Sequence, residues 1–263
     1  MAKTWNMAGV VDSGILRELE NREPATLEAA KSCSILEIRY DLFKDRQHWP
    51  QLAVRLSHLF PRKTLLGSIR LERDGGKFSN SFAKDRPALW GKILKAPVRP
   101  RWIDLELDEL DLCPGVLRLA RTSDVLVLGS RHEFYRIPSL REMRADIAKA
   151  RIANLDGFKI AAMAKASGAC GNLYALARGN RAGFRLFAAF AMGEPGRNSR
   201  LYSLACGANL TYASLGHPVT SGMMPAKELA HCMQVLQKKV KELPQADLNL
   251  KQQSGFLKFC LKK

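Results

Sequence analysis

The sequence predicts an α/β protein, a single-domain (β/α)8 barrel, and three observations lead there. Eight apolar, β-rich runs recur along the 263 residues, stretches long enough for a helix separate most of them, and neither an internal repeat nor a linker rich in Pro, Gly or Ser divides the chain. Strands alternating with helices imply a parallel sheet, and eight such units in a chain of this length favour a closed barrel over an open doubly wound sheet. The hydrophobic content of 46% is enough for one large core.

In chain order the strand-like runs are 7–11, 35–43, 64–69, 102–107, 125–130, 157–163, 184–191 and 210–215. Helices are expected over 15–32, 49–60, 139–153 and 199–208, and a last one over 226–240, where Leu229, Met233 and Leu236 fall at helical spacing. The barrel domain is read as 1–243. The remainder, 244–263, is read as a basic tail packed on the barrel.

Composition narrows the function classes. No apolar run reaches the roughly eighteen residues of a membrane helix, and Met1-Ala2-Lys3-Thr4-Trp5 lacks the apolar core of a signal peptide, so the chain is expected in the cytoplasm. Cysteines 33, 113, 170, 206, 232 and 260 are scattered without a CxxC pair, which suggests reduced thiols and implies no metal. The net charge of +17 is compatible with nucleic-acid binding, an anionic substrate or a basic surface. Its spread through helical segments and the tail, without an Arg-Gly repeat, RNA-binding aromatic signature or zinc-finger spacing, argues against nucleic acid and puts the plain surface first. Steering of a carboxylate substrate would follow from the same charge.

The polar residues inside the strands carry the chemistry. Side chains alternate faces along a strand, so Glu37, Arg39 and Asp41 point one way and their apolar neighbours the other. Ser68 and Arg70 share a face in the same manner, as do Asp104 and Glu106, Ser130 and His132, and Gly157 and Lys159. An edge strand shows the same alternation, but so many strands cannot all be edges. Buried charges at this frequency need to neutralise one another or hold a ligand, which places a polar site at the C-terminal mouth of the barrel.

Within that set, Lys159 lies in the otherwise apolar run Gly157-Phe158-Lys159-Ile160-Ala161-Ala162-Met163. A strand lysine most often sits at an edge or snorkels to water. Desolvated, it loses affinity for its proton and becomes a nucleophile able to form a Schiff base with a ketone. A histidine after a strand is usually structural or exposed, whereas His132 near such a lysine suits proton transfer near neutral pH. Arg39, Arg70 and Arg200 offer planar donors for a carboxylate or hydroxyls, with a surface cluster as the other reading of Arg200.

Five motifs in order then point to a family. With Glu37-x-Arg39-x-Asp41-x-Phe43, Ser68-x-Arg70 followed by Asp74-Gly75-Gly76, Ser130-x-His132-x-Phe134, Lys159-Ile160-Ala161-x-Met163 and Met192-Gly193-x-x-Gly196-x-x-Ser199-Arg200, the chain resembles type I 3-dehydroquinate dehydratase from the second strand to the eighth. The resemblance implies a barrel, a shikimate-pathway substrate, no metal or cofactor, and a homodimer. It makes Lys159 the imine-forming lysine and His132 the general acid/base. It puts Glu37, Arg39 and Arg70 at the substrate hydroxyls and Arg200 at the carboxylate. It also implies that His132 is oriented by an acid in the loop after Arg70, where Asp74 stands in place of the family's usual glutamate.

A second departure lies after the eighth strand. The family's Ser-Ala-Pro-Gly-Gln reads Val219-Thr220-Ser221-Gly222-Met223 here, which removes two polar contacts unless Thr220 and Ser221 substitute for them. Each unpartnered substrate group would cost about 1–3 kcal/mol of binding without touching the imine chemistry. Two other readings therefore stand beside the dehydratase. One is a paralogous Schiff-base barrel acting on another hydroxy-keto acid, and the other a non-catalytic basic barrel protein, against which the retention of both Lys159 and His132 argues.

Overall fold

We describe residues 4–179 and 183–242 of a computed structural model of the chain; the expected tail, 244–263, and its boundary lie outside them. Eight parallel strands form the wall: β1 (Asn6–Val11), β2 (Ile35–Arg39), β3 (Thr64–Ser68), β4 (Trp102–Glu106), β5 (Leu126–Glu133), β6 (Gly157–Met163), β7 (Leu186–Met192) and β8 (Leu210–Ser214). A two-residue strand, β9 (Met224–Pro225), adds to β8, giving the order β7-β6-β5-β4-β3-β2-β1-β8-β9. No ladder joins β7 to β8, and Asn209 closes that seam. Its N–H donates to the Phe187 carbonyl at 3.0 Å, its Oδ1 accepts from the Phe187 N–H at 2.7 Å, and its Nδ2 donates to the Arg185 carbonyl at 2.8 Å.

Helices α1 (Ser13–Glu20), α2 (Pro24–Ser32), α3 (Trp49–Leu59), α4 (Arg86–Leu94), α5 (Pro114–Thr122), α6 (Leu140–Ile152), α7 (Gly171–Gly179), α8 (Ser199–Cys206) and α9 (Ala226–Glu242) follow the strands. Among the described residues, no helix is long and apolar enough to cross a membrane. Local chemistry sets the helix starts. Asp12 accepts the Ile15 N–H at 2.8 Å and caps α1, and Ser139 and Glu142 form a reciprocal capping box on α6.

Two expectations change. The helix expected over 15–32 is two helices, because the chain turns at Arg22, whose φ of 57° is left-handed, and Pro24 restarts α2 at its first position. The strand expected over 35–43 ends at Arg39, where a 3-10 turn at Tyr40–Leu42 swings Asp41 back toward the Arg39 guanidinium.

The wall separates two apolar clusters. Outward residues such as Leu36, Ile38, Ile103 and Phe158 pack under the helices with Trp49, Leu56 and Trp90. Inward, Ile35, Leu66, Trp102, Leu128, Leu186 and Leu210 belong to a smaller cluster. Register places these toward the N-terminal ends of their strands, so the lower barrel is an apolar plug and the inward positions nearer the C-terminal ends hold the charges.

Candidate active site

The register sets out the site in levels. Glu106 pairs with Ser130 and Ser130 with Lys159, while His132 pairs with Ala161 and Ala161 with Phe190, one inward position nearer the mouth. Lys159 and His132 are thus diagonal neighbours on adjacent strands and line one cavity. Glu37, Arg39, Arg70, Asp74 and Arg200 line it too, so all seven residues singled out in the sequence converge there, joined by Phe190, Tyr212, Val219 and Met223.

Most of the buried charge is neutralised in place. Lys159 Nζ donates to Asp104 Oδ2 at 3.0 Å. Ser130 Oγ donates to Asp104 Oδ1 at 2.5 Å, and Arg70 Nη1 donates to Ser130 Oγ at 2.9 Å and to Glu106 Oε1 at 3.0 Å. Arg70 Nη2 adds an ion pair to Asp104 at 2.7 Å. Arg39 grips Asp41 through Nε at 2.9 Å and Nη2 at 2.8 Å, and Ser68 Oγ donates to Glu37 at 2.6 Å. Behind this layer, Arg86 from α4 spans Glu106 at 2.5 Å and Glu109 at 2.8 Å. Each of these ions thereby meets an opposite charge or, for Glu37, a hydrogen-bonding hydroxyl, in a region where an isolated one would cost several kcal/mol.

Arg200 is the exception. It is 2% exposed, no ion pair joins it to a carboxylate among the described residues, and its Nη1 has no hydrogen-bond partner. Its Nε donates to the Gly222 carbonyl at 3.2 Å and its guanidinium lies 4.3 Å from the centre of the Phe190 ring. Burial pushes its pKa down to about 10. A buried, unneutralised guanidinium facing a cavity has the chemistry to take an anion.

Protonation states favour imine chemistry. Burial pulls the Lys159 ammonium below its ordinary pKa, with Asp104 and Glu37 opposing and Arg70 adding to the loss. His132 is held well below its usual range by burial, with Arg70 and Lys159 contributing, so its imidazole is neutral and ready to accept a proton. For Asp104, burial would raise the carboxyl, but Arg70 and Lys159 outweigh it and hold the pKa well below the ordinary value. The result is a permanent anion beside the amine, able to balance an iminium cation.

The expected link between Asp74 and His132 is not a direct hydrogen bond. His132 Nδ1 is buried without a partner, and Asp74 makes its ion pair with Arg73 at 3.7 Å. The loop that carries Asp74 is tightly built: a Cβ on Gly76 would fall 2.0 Å from the Arg70 carbonyl oxygen. In the loop after β8, Thr220 lines the cavity while Ser221 is exposed. That loop is tied down by the Gly193 N–H, which donates to the Ser221 carbonyl at 3.0 Å. A Cβ on Gly222, whose φ is +76°, would meet the Gly193 carbonyl oxygen at 2.3 Å.

Sequence reasoning passed over two contributors. Arg86 comes from a helix that Pro87 and Gly91 disguise. Tyr212 was readable only as part of a strand, although its inward register and its ring, 4.4 Å from Lys159 Nζ, put it inside the site.

Fold and site define a (β/α)8 barrel with a buried lysine, a neutral histidine and an unneutralised arginine around one cavity at its C-terminal mouth. A family model for type I 3-dehydroquinase matches residues 16–240, and the chain belongs to that family. It is 29% identical over 226 residues to the 3-dehydroquinate dehydratase of Methanosarcina mazei, covering 84% of this chain and 91% of that protein. To the enzyme of the same name from Methanosarcina acetivorans it is 29% identical over 235 residues, covering 87% and 95%. The fold matches the crystal structure of 3-dehydroquinate dehydratase from Geobacillus kaustophilus with a TM-score of 0.79 at 23% identity, over 89% of this chain and 91% of that one.

Proposed function

We propose that the chain dehydrates 3-dehydroquinate to 3-dehydroshikimate through a Schiff base at Lys159, with His132 as general acid/base. The observation that carries this reading is the pairing of a buried, destabilised ammonium with a neutral imidazole on adjacent strands. The free amine of Lys159 attacks the substrate ketone and water leaves, forming an iminium that withdraws electrons from the adjacent carbon. His132 removes a proton from that carbon. The enamine then expels the neighbouring hydroxyl, which takes a proton from the histidine and departs as water. Water adds to the product iminium, releasing the enone and restoring the lysine.

Around these two groups, Arg200 binds the substrate carboxylate, and Glu37, Arg39 and Arg70 face its hydroxyls. Asp74, the acid that the resemblance assigns to orienting His132, lines the same cavity without a direct hydrogen bond to it. The reaction as written uses protein groups and water and needs no cofactor. Enone absorbance on adding 3-dehydroquinate tests the assignment: growth that Lys159→Ala abolishes supports it, and a folded wild type without turnover overturns it.

One observation favours a second reading. Val219 and Met223 face the cavity with apolar side chains, which suits a paralogous Schiff-base enzyme whose hydroxy-keto acid lacks a polar group at that wall. Turnover of such an acid with a kcat/KM above that for 3-dehydroquinate would decide for it. We further propose a catalytic domain spanning 1–243 and a cytoplasmic location, as the organisation and composition of the chain suggest, and a homodimer, as the family resemblance implies; sedimentation velocity of the full chain tests the dimer.

A further inference from the structure

We propose that Tyr212 is a specificity-determining residue whose hydroxyl donates to a substrate oxygen in place of the polar side chains that Val219 and Met223 do not supply. The inference rests on the dehydratase reading and deepens it. Tyr212 sits in β8 with its side chain inward, since it pairs with the inward Ala8. It is 2% exposed and lines the cavity that holds Lys159, His132 and Arg200. Its ring is held between Phe190, 5.6 Å away centre to centre, and Lys159 Nζ, 4.4 Å from the ring centre. Its hydroxyl is buried and has no hydrogen-bond partner among the described residues.

A buried hydroxyl left unpaired is unfavourable, and a phenylalanine of nearly the same shape would fill the position without that penalty. Among the described residues, three further polar atoms without a hydrogen-bond partner belong to residues of this cavity, Arg200 Nη1, His132 Nδ1 and Arg70 Nη2, the last of which is ion-paired with Asp104. The other buried hydroxyls without partners, on Tyr40, Ser203 and Thr211, belong to residues that do not line it. Burial holds the phenol well above its ordinary pKa of 10. The group is therefore an O–H donor throughout the working pH range, suited to a substrate hydroxyl or carboxylate oxygen. The loop after β8 offers no such donor at Val219 or Met223. Ring and hydroxyl also have separable duties, because the ring face supports the cationic nitrogen of Lys159 whether or not the oxygen is there.

The test compares the wild type with Tyr212→Phe, using 3-dehydroquinate as substrate. Tyr212→Phe is expected to raise KM about tenfold or more with a smaller change in kcat, as loss of one donor to a buried ligand oxygen predicts. At saturating substrate, borohydride should still trap the imine on Lys159. Adding Met223→Gln, which returns a polar amide to the loop, should recover part of the loss in Tyr212→Phe. Unchanged kinetic constants in Tyr212→Phe overturn the inference and leave the dehydratase standing. Joint loss of turnover and imine trapping also overturns it, because the residue is then structural. An inactive wild type overturns both.

Discussion

Replacing Arg200 with leucine separates a binding arginine from a structural one. Burial lowers the guanidinium pKa to about 10 at this position, equivalent to roughly 3 kcal/mol of unfavourable burial. Against this stand one hydrogen bond to Gly222 and the contact with Phe190, together worth about 1–3 kcal/mol. Arg200→Leu should therefore leave folding stability within about 1 kcal/mol of wild type. Arg70→Leu, which takes one of two cations from each of Asp104 and Glu106 and leaves them Lys159 and Arg86 alone, should cost more, up to about 3–5 kcal/mol. Catalysis should show the loss in Arg200→Leu: one or two charge-assisted hydrogen bonds to a substrate carboxylate correspond to roughly a ten- to hundredfold drop in kcat/KM. Urea unfolding and steady-state kinetics on the same samples provide both numbers. Destabilisation of 3 kcal/mol or more with kcat/KM intact would refute the reasoning, since Arg200 would then hold the fold and the substrate carboxylate would bind elsewhere.

Two further perturbations probe the charge layer. Asp104→Asn leaves the Lys159 ammonium and Arg70 short of an anion and should destabilise the fold by about 3–5 kcal/mol; it also removes the group that most raises the lysine pKa, so the pH dependence of imine trapping should move to lower pH. For Asp74, burial, with Glu106 second, lifts the carboxyl pKa from 3.8 to about 6. A folded pKa above the unfolded one means that the ionised carboxylate works against folding above pH 6 and not below 3.8. Asp74→Asn should then be more stable than wild type at pH 8, by at most about 2–3 kcal/mol and less where water screens the side chain. The advantage should vanish near pH ~3.5, and thermal melts showing an equal gain at both pH values would contradict the assignment.

Much of this architecture is legible in the chain because a barrel strand carries its own signature. Its outward face is mostly apolar, and its inward face changes from apolar to charged toward the mouth, so Glu37, Asp104, Ser130 and Lys159 announce both strand and site. The helices α4, α5 and α7 are harder to read. Pro87, Pro114 and Gly171 look like breakers in sequence, yet they stand in first turns, where they leave the helix intact. Partners are least legible, because they depend on distance across the barrel. The reach of Arg86 to Glu106 and Glu109, the solitary state of Arg200 and the unpaired hydroxyl of Tyr212 appear only once the strands have closed. The Asp74 to His132 relation shows the same limit: sequence order brings the two loops together, while side-chain length decides whether they touch.

The central claim is that Lys159 becomes covalently bonded to substrate. Borohydride added during turnover of 3-dehydroquinate, followed by peptide mass spectrometry, tests it most directly. A reduced adduct is expected on the peptide that carries Lys159, dependent on substrate. An active sample with no adduct, or with the adduct on another lysine such as the exposed Lys165, would contradict it.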